Sequence, residues 1–114
     1  MQISEIAKIL EAKVLCGQDL SMEIHRACGS DMMSDVLAYV KDHSMLLTGL
    51  VNPQAIRTAE MLDMRCVAFV RGKQPSQAML DLADELGIAV LATDMLMFTA
   101  CGRLYAAGIS GGSN

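Results

Sequence analysis

Ser44-Met45-Leu46-Leu47-Thr48-Gly49, Cys66-Val67-Ala68-Phe69-Val70-Arg71-Gly72 and Ile88-Ala89-Val90-Leu91-Ala92-Thr93-Asp94 repeat one pattern three times between residues 44 and 98. Each is a short apolar run, a polar break and then a segment with helical spacing. The breaks suit a turn followed by a helix start: Thr48-Gly49 leads to Asn52-Pro53, Arg71-Gly72 leads to Pro75-Ser76, and the third run ends in Thr93-Asp94. Short apolar strands alternating with helices imply parallel pairing and right-handed crossovers, because parallel neighbours need a long connection between them. The helices must then cover the sheet. The predicted fold is α/β, a small three-layer arrangement of a mainly parallel sheet with flanking helices.

Outward from these runs, Asn52 caps and Pro53 opens a helix carrying Ile56, Ala59 and Leu62 to about Asp63. Ser76 starts another, whose stripe of Met79, Leu80, Ala83 and Leu86 stops at Gly87. Thr93 or Asp94 is expected to cap a last helix that runs to about Tyr105 and ends at Gly108. Upstream, Ser4 reads as the N-cap of a helix over residues 3–11, and Val14-Leu15-Cys16 as a strand closed by Gly17. A second extended segment is predicted near Ile24 to Cys28. Gly29-Ser30-Asp31 then supplies capping oxygens for a helix over residues 32–40. Residues 1–108 form one domain on this reading, and 109–114 a flexible tail.

A chain of 114 residues has room for one core and one site. Hydrophobic residues make up 53% and charged residues 19%, which predicts that some apolar surface is covered by a second copy or a partner. The formal net charge of −4 opposes a nucleic-acid partner, since a phosphate backbone needs a clustered basic face. No run approaches the roughly 20 apolar residues of a membrane span, and the first residues lack a signal-like apolar core, so a cytoplasmic protein is expected. Cys16, Cys28, Cys66 and Cys101 form no CxxC pair, and His25 with Cys28 makes only an isolated HxxC. Neither a metal site nor any cofactor is predicted.

In an open parallel sheet, ligands bind beyond the carboxyl ends of the strands. That rule selects Thr48, Gly49, Asn52, Arg71, Gly72, Thr93 and Asp94 as candidate ligand-binding residues. Free backbone N–H groups at helix starts favour an anion, and Arg71 and Lys73 add charge, so a nucleotide or phosphorylated metabolite is the chemistry implied. On the alternative, purely structural reading, the same residues are ordinary caps and turn glycines, and Arg71 pairs with a neighbouring acid. No GxxxxGK[ST] loop or GxSxG elbow occurs, and no catalytic residues are assigned. A small enzyme acting on a phosphorylated substrate would have Asp94 or His43 for proton transfer.

Met45-Leu46-Leu47-Thr48-Gly49, Arg57-Thr58-Ala59-Glu60, Val67-Ala68-Phe69-Val70-Arg71-Gly72 and Leu86-Gly87-Ile88-Ala89-Val90-Leu91-Ala92-Thr93 together resemble the DRTGG domain, over about residues 6–108. That family occurs as stand-alone proteins, as an accessory domain of some phosphotransacetylases and between CBS domains of some pyrophosphatases. It is similar to the N-terminal domain of HPr kinase/phosphorylase. The resemblance implies a non-enzymatic regulatory or dimerisation module, a homodimer. It also implies a partner among metabolic or hydrogenase enzymes, and the alternative it leaves open is an adaptor for hydrogenase or other redox-enzyme subunits. The sequence departs from the family's pattern at Leu50, where a second glycine is common and where leucine adopts positive φ only at a cost.

Overall fold

The computed structural model describes residues 1–42 and 44–111. Along these the chain forms α1 (Ile3–Ile9), β1 (Lys13–Cys16), β2 (Ala27–Gly29), α2 (Met33–Tyr39), β3 (Met45–Thr48), α3 (Pro53–Met61), β4 (Cys66–Phe69), α4 (Gln77–Glu85), β5 (Ala89–Ala92) and α5 (Met97–Ala106). The sheet runs β1-β5-β4-β3-β2. Strands β2 to β5 are parallel, with Ala27 opposite Met45, Met45 opposite Cys66, and Cys66 opposite Ala89. The three apolar runs are therefore parallel neighbours, as predicted. Only β1 is antiparallel: it lies against β5 with Lys13 opposite Ala92 and carries a bulge between Val14 and Cys16.

Every residue of β3, β4 and β5 is buried, which explains continuous apolar runs in place of alternation: both faces of these strands are covered. Successive side chains point to opposite faces. Leu46, Val67, Phe69 and Val90 face one core with Met33 and Val36 of α2, Ile56 and Ala59 of α3, and Met79 and Ala83 of α4. Met45, Leu47, Cys66, Ala68, Ala89 and Leu91 face the other, against Ile3, Ile6 and Leu10 from the α1 end and Ala100 and Leu104 of α5. Strands laid down in sequential order with crossovers of one hand put α2, α3 and α4 on one side. The chain leaving β5 turns to the other side, where α5 packs.

Several local expectations shift. Asn52 and Ser76 are the caps predicted: their side chains accept from Gln54 N–H at 2.8 Å and Met79 N–H at 3.2 Å. Gly87, at φ +71°, closes α4. Ser4, however, is inside α1, whose N-cap is Gln2. Helix α5 begins at Met97 with Leu96 at its cap, so neither Thr93 nor Asp94 caps it. The start of the expected tail is tied down. Ile109 is buried in the α1/α5 core, Ser110 N–H donates to His25 O at 3.0 Å, and Ala27 N–H donates to Ser110 O at 3.0 Å. Residues 112–114 lie outside the described residues.

Candidate functional site

At the carboxyl end of β3, two donors from adjacent residues and a third from the loop after β4 converge on one carboxylate. Gly49 N–H donates to Asp31 Oδ1 at 2.6 Å, and the Thr48 hydroxyl donates to the same oxygen at 3.2 Å. The Arg71 guanidinium lies 3.5 Å from Asp31 Oδ2. The Thr48 hydroxyl is also oriented from behind. Its oxygen accepts the Leu50 N–H at 3.0 Å, which leaves its proton for Asp31. Thr48 is fully buried, whereas the Asp31 and Arg71 side chains remain 48% and 45% exposed. Water therefore screens the ion pair, and its contribution is that of a surface contact.

Backbone geometry holds Arg71 there. Arg71 and Gly72 both have positive φ, +64° and +70°, as the two central residues of a tight type I′-like turn require. Glycine enters that region freely, but arginine does so at a cost of about 1–2 kcal/mol. Arg71 N–H donating to Met95 O at 2.8 Å and Gly72 N–H donating to Thr93 O at 3.0 Å fix the turn against the β5–α5 connection. Across the gap, Gly49 has no side chain to obstruct the guanidinium: a Cβ there would stand 2.9 Å from both Arg71 Cζ and Nε. The strained φ falls on Arg71, and Leu50 is not among the positive-φ residues.

The seven residues singled out from the sequence divide into three groups. Thr48, Gly49 and Arg71 meet around Asp31. Gly72, Thr93 and Asp94 line a neighbouring polar notch of about 80 Å³, together with Glu11, Lys13 and Gln74. The notch lies between the α1–β1 turn, the end of β5 and the loop after β4. Thr93 is buried at its base, its hydroxyl donating to Leu10 O at 2.7 Å and accepting Met95 N–H at 3.2 Å. Asn52 stands apart and spends its side chain on its own helix. His43 lies outside the described residues.

Asp31 is the member that sequence reasoning assigned elsewhere. It was expected to cap α2, but the cap position is Met32, and Ser30 Oγ accepts the Met32 N–H at 3.0 Å. A signal was present in the sequence: an acid in the connection leaving one parallel strand lies at the same rim as the glycine ending the next. The roomier hollows lie away from these donors, along edge strand β2. One of about 340 Å³ is bordered by Cys28, Ser30, Asp35, Val36, Tyr39 and Val40, and one of about 150 Å³ by Gly29, Cys101, Leu104, Tyr105 and Ile109.

Burial disfavours the thiolate at each cysteine. Burial pushes Cys66 up to about 12, and burial likewise raises Cys16, Cys28 and Cys101. Cys28 packs on the α2 side of the sheet and Cys101 on the α5 side. Among the described residues, no group of three or more His, Cys, Asp and Glu side chains is placed to hold a metal ion. Nor is any of their helices long and apolar enough to cross a membrane.

A three-layer α/β domain with a mostly parallel five-stranded sheet, its donors gathered at one rim, is the class this geometry defines. The chain belongs to the DRTGG domain family, whose model matches residues 5–107. Among solved structures, the fold is similar to the CBS and DRTGG domains of the regulatory region of Clostridium perfringens pyrophosphatase, solved in complex with the activator diadenosine tetraphosphate. The TM-score is 0.77 at 17% identity, over 96% of this chain and 48% of that one. The chain thus spans about half of that structure's length. No curated protein matches it in sequence.

Proposed function

We propose that this chain is a non-enzymatic regulatory module of the cytoplasm that responds to an anionic ligand, a nucleotide or phosphorylated metabolite, at its C-terminal rim. The observation carrying this reading is the convergence of the Thr48 hydroxyl, Gly49 N–H and Arg71 guanidinium on one carboxylate. Hydroxyl, backbone amide and guanidinium are the donors that bind phosphate and carboxylate oxygens. Membership of the DRTGG family supports a regulatory role. So does likeness to a pyrophosphatase regulatory region that was solved with an activating dinucleotide.

The module works as a homodimer on this proposal. Phe98 at 89%, Tyr105 at 75% and Tyr39 at 80% exposure are large apolar side chains that a monomer would leave in water. Phe98 and Tyr105 lie seven residues apart, on one face of α5.

Thermal shift against ATP, diadenosine tetraphosphate and inorganic pyrophosphate tests the ligand reading. A ligand that binds the folded state raises its melting temperature by mass action. The shift should appear with at least one of these and vanish in Arg71→Ala. A shift that survives unchanged in Arg71→Ala places the pocket elsewhere. Light scattering at high protein concentration tests the dimer, and a monodisperse monomer ends it.

A further inference from the structure

The donors at the rim already hold an anion that belongs to the chain. We propose that the Asp31 carboxylate is a tethered occupant of the anion position, and that an external phosphate-bearing ligand binds only by displacing it. Displacement would release the connection between edge strand β2 and helix α2. This inference rests on the anion-binding reading above and adds the competition and its mechanical consequence.

Three features carry it. First, Thr48 Oγ1, Gly49 N and Arg71 Nη2 all address Asp31, at 3.2, 2.6 and 3.5 Å, so a free anion would have to use donors that are already engaged. Second, the backbone that presents these donors is held in place independently of Asp31. Leu50 N–H orients Thr48, Met95 O and Thr93 O fix the Arg71-Gly72 turn, and the bare face of Gly49 admits the guanidinium. That backbone would therefore persist after Asp31 leaves. Third, Asp31 sits on the less anchored side of the contact. Its side chain is about half exposed, and it is joined to a strand of three residues and a helix of seven at the sheet edge. A screened contact of this kind can be exchanged, whereas a buried one would not be.

The consequence runs along the chain. Ser30, adjacent to Asp31, lines the 340 Å³ hollow with Asp35, Val36 and Tyr39. Ser30 N–H donates to Leu47 O at 3.0 Å, and Ser30 Oγ accepts from Met32. Freeing Asp31 removes one of the ties that set this segment, so occupancy of the rim would be transmitted to the β2 edge.

A binding-competent state populated at one part in ten to one in a hundred weakens apparent affinity about ten- to hundredfold. Removing the competitor should restore that factor. The experiment titrates inorganic pyrophosphate and ATP, each up to about 10 mM, into wild type, Asp31→Ala, Asp31→Asn and Asp31→Ala/Arg71→Ala. The Gly49 amide resonance is followed in each, together with hydrogen exchange of residues 30–36. The expected result is binding to Asp31→Ala at least about tenfold tighter than to wild type, a smaller gain in Asp31→Asn, whose amide oxygen still accepts from Gly49 and Thr48, and loss of binding in the double variant. Saturating wild type should accelerate exchange at residues 30–36. Equal affinity of wild type and both Asp31 variants overturns the displacement while leaving the anion site standing. Absence of binding to every form, with the Asp31 variants folded by their amide spectra, overturns both.

Discussion

Replacing Thr93 by valine separates a structural hydroxyl from a ligand-binding one. Thr93 is 3% exposed, and its hydroxyl joins two backbone groups: it donates to Leu10 O at 2.7 Å and accepts Met95 N–H at 3.2 Å. Leu10 is the C-cap of α1, so this bond satisfies a terminal helix carbonyl that has no intrahelical donor. Valine keeps the shape and removes both bonds. A buried backbone group left unpaired costs about 1–3 kcal/mol, so the Leu10 carbonyl gives roughly 2 kcal/mol and the part-buried Met95 N–H adds less. The added methyl regains under about 1 kcal/mol by burial, and water reaching the notch offsets part of the loss. The expected net loss is roughly 2 kcal/mol, a large share of the 5–15 kcal/mol typical of a domain. In urea the midpoint should fall with the slope unchanged, and the melting temperature should drop by about 8 °C at roughly 4 °C per kcal/mol. Thr93→Ser keeps the hydroxyl and should cost under half as much. Valine within about 0.5 kcal/mol of wild type, or serine as damaging as valine, would refute the argument and return Thr93 to the ligand-binding set.

Gly29→Ala would bring a Cβ to 2.6 Å from Cys101 Sγ and 3.2 Å from Met97 Sδ. Overpacking of this kind costs about 1–3 kcal/mol, and Cys101→Ala should recover most of it in a double-mutant cycle read by urea unfolding. Strictly additive losses would mean that the two sites do not touch. Stability should also fall on the alkaline side because of Cys66. Its folded pKa of about 12 lies above the ordinary 9.0, so the folded state holds the proton more tightly than the unfolded one. The benefit is complete below pH 9 and is lost between about 9 and 12, with a slope of about 1.4 kcal/mol per pH unit within that window. Cys66→Ala should show a correspondingly shallower decline between pH 9.5 and 10.5, and identical slopes would remove the cause. Gly49→Ala should push the Arg71 guanidinium off Asp31 and, on the proposed function, abolish the ligand-dependent thermal shift; an unaltered shift would clear Gly49 of that role.

Local chemistry along the chain determined the elements and their class. The runs beginning at Met45, Cys66 and Ile88 are apolar throughout because each strand is covered on both faces, and that burial leaves its mark in consecutive residues. Asn52, Ser76 and Gly87 act on groups within three residues of themselves, so their roles could be read directly. What tertiary structure alone decided are pairings between distant segments: β1 turned antiparallel against β5, Ser110 beside Ala27, Thr93 bonded to Leu10, and Asp31 drawn from its own helix to Thr48, Gly49 and Arg71. A side-chain oxygen near a helix start has an adjacent backbone donor and, once folded, sometimes a better donor across the rim. Which one it takes depends on where the strands come to lie, and no local pattern carries that information.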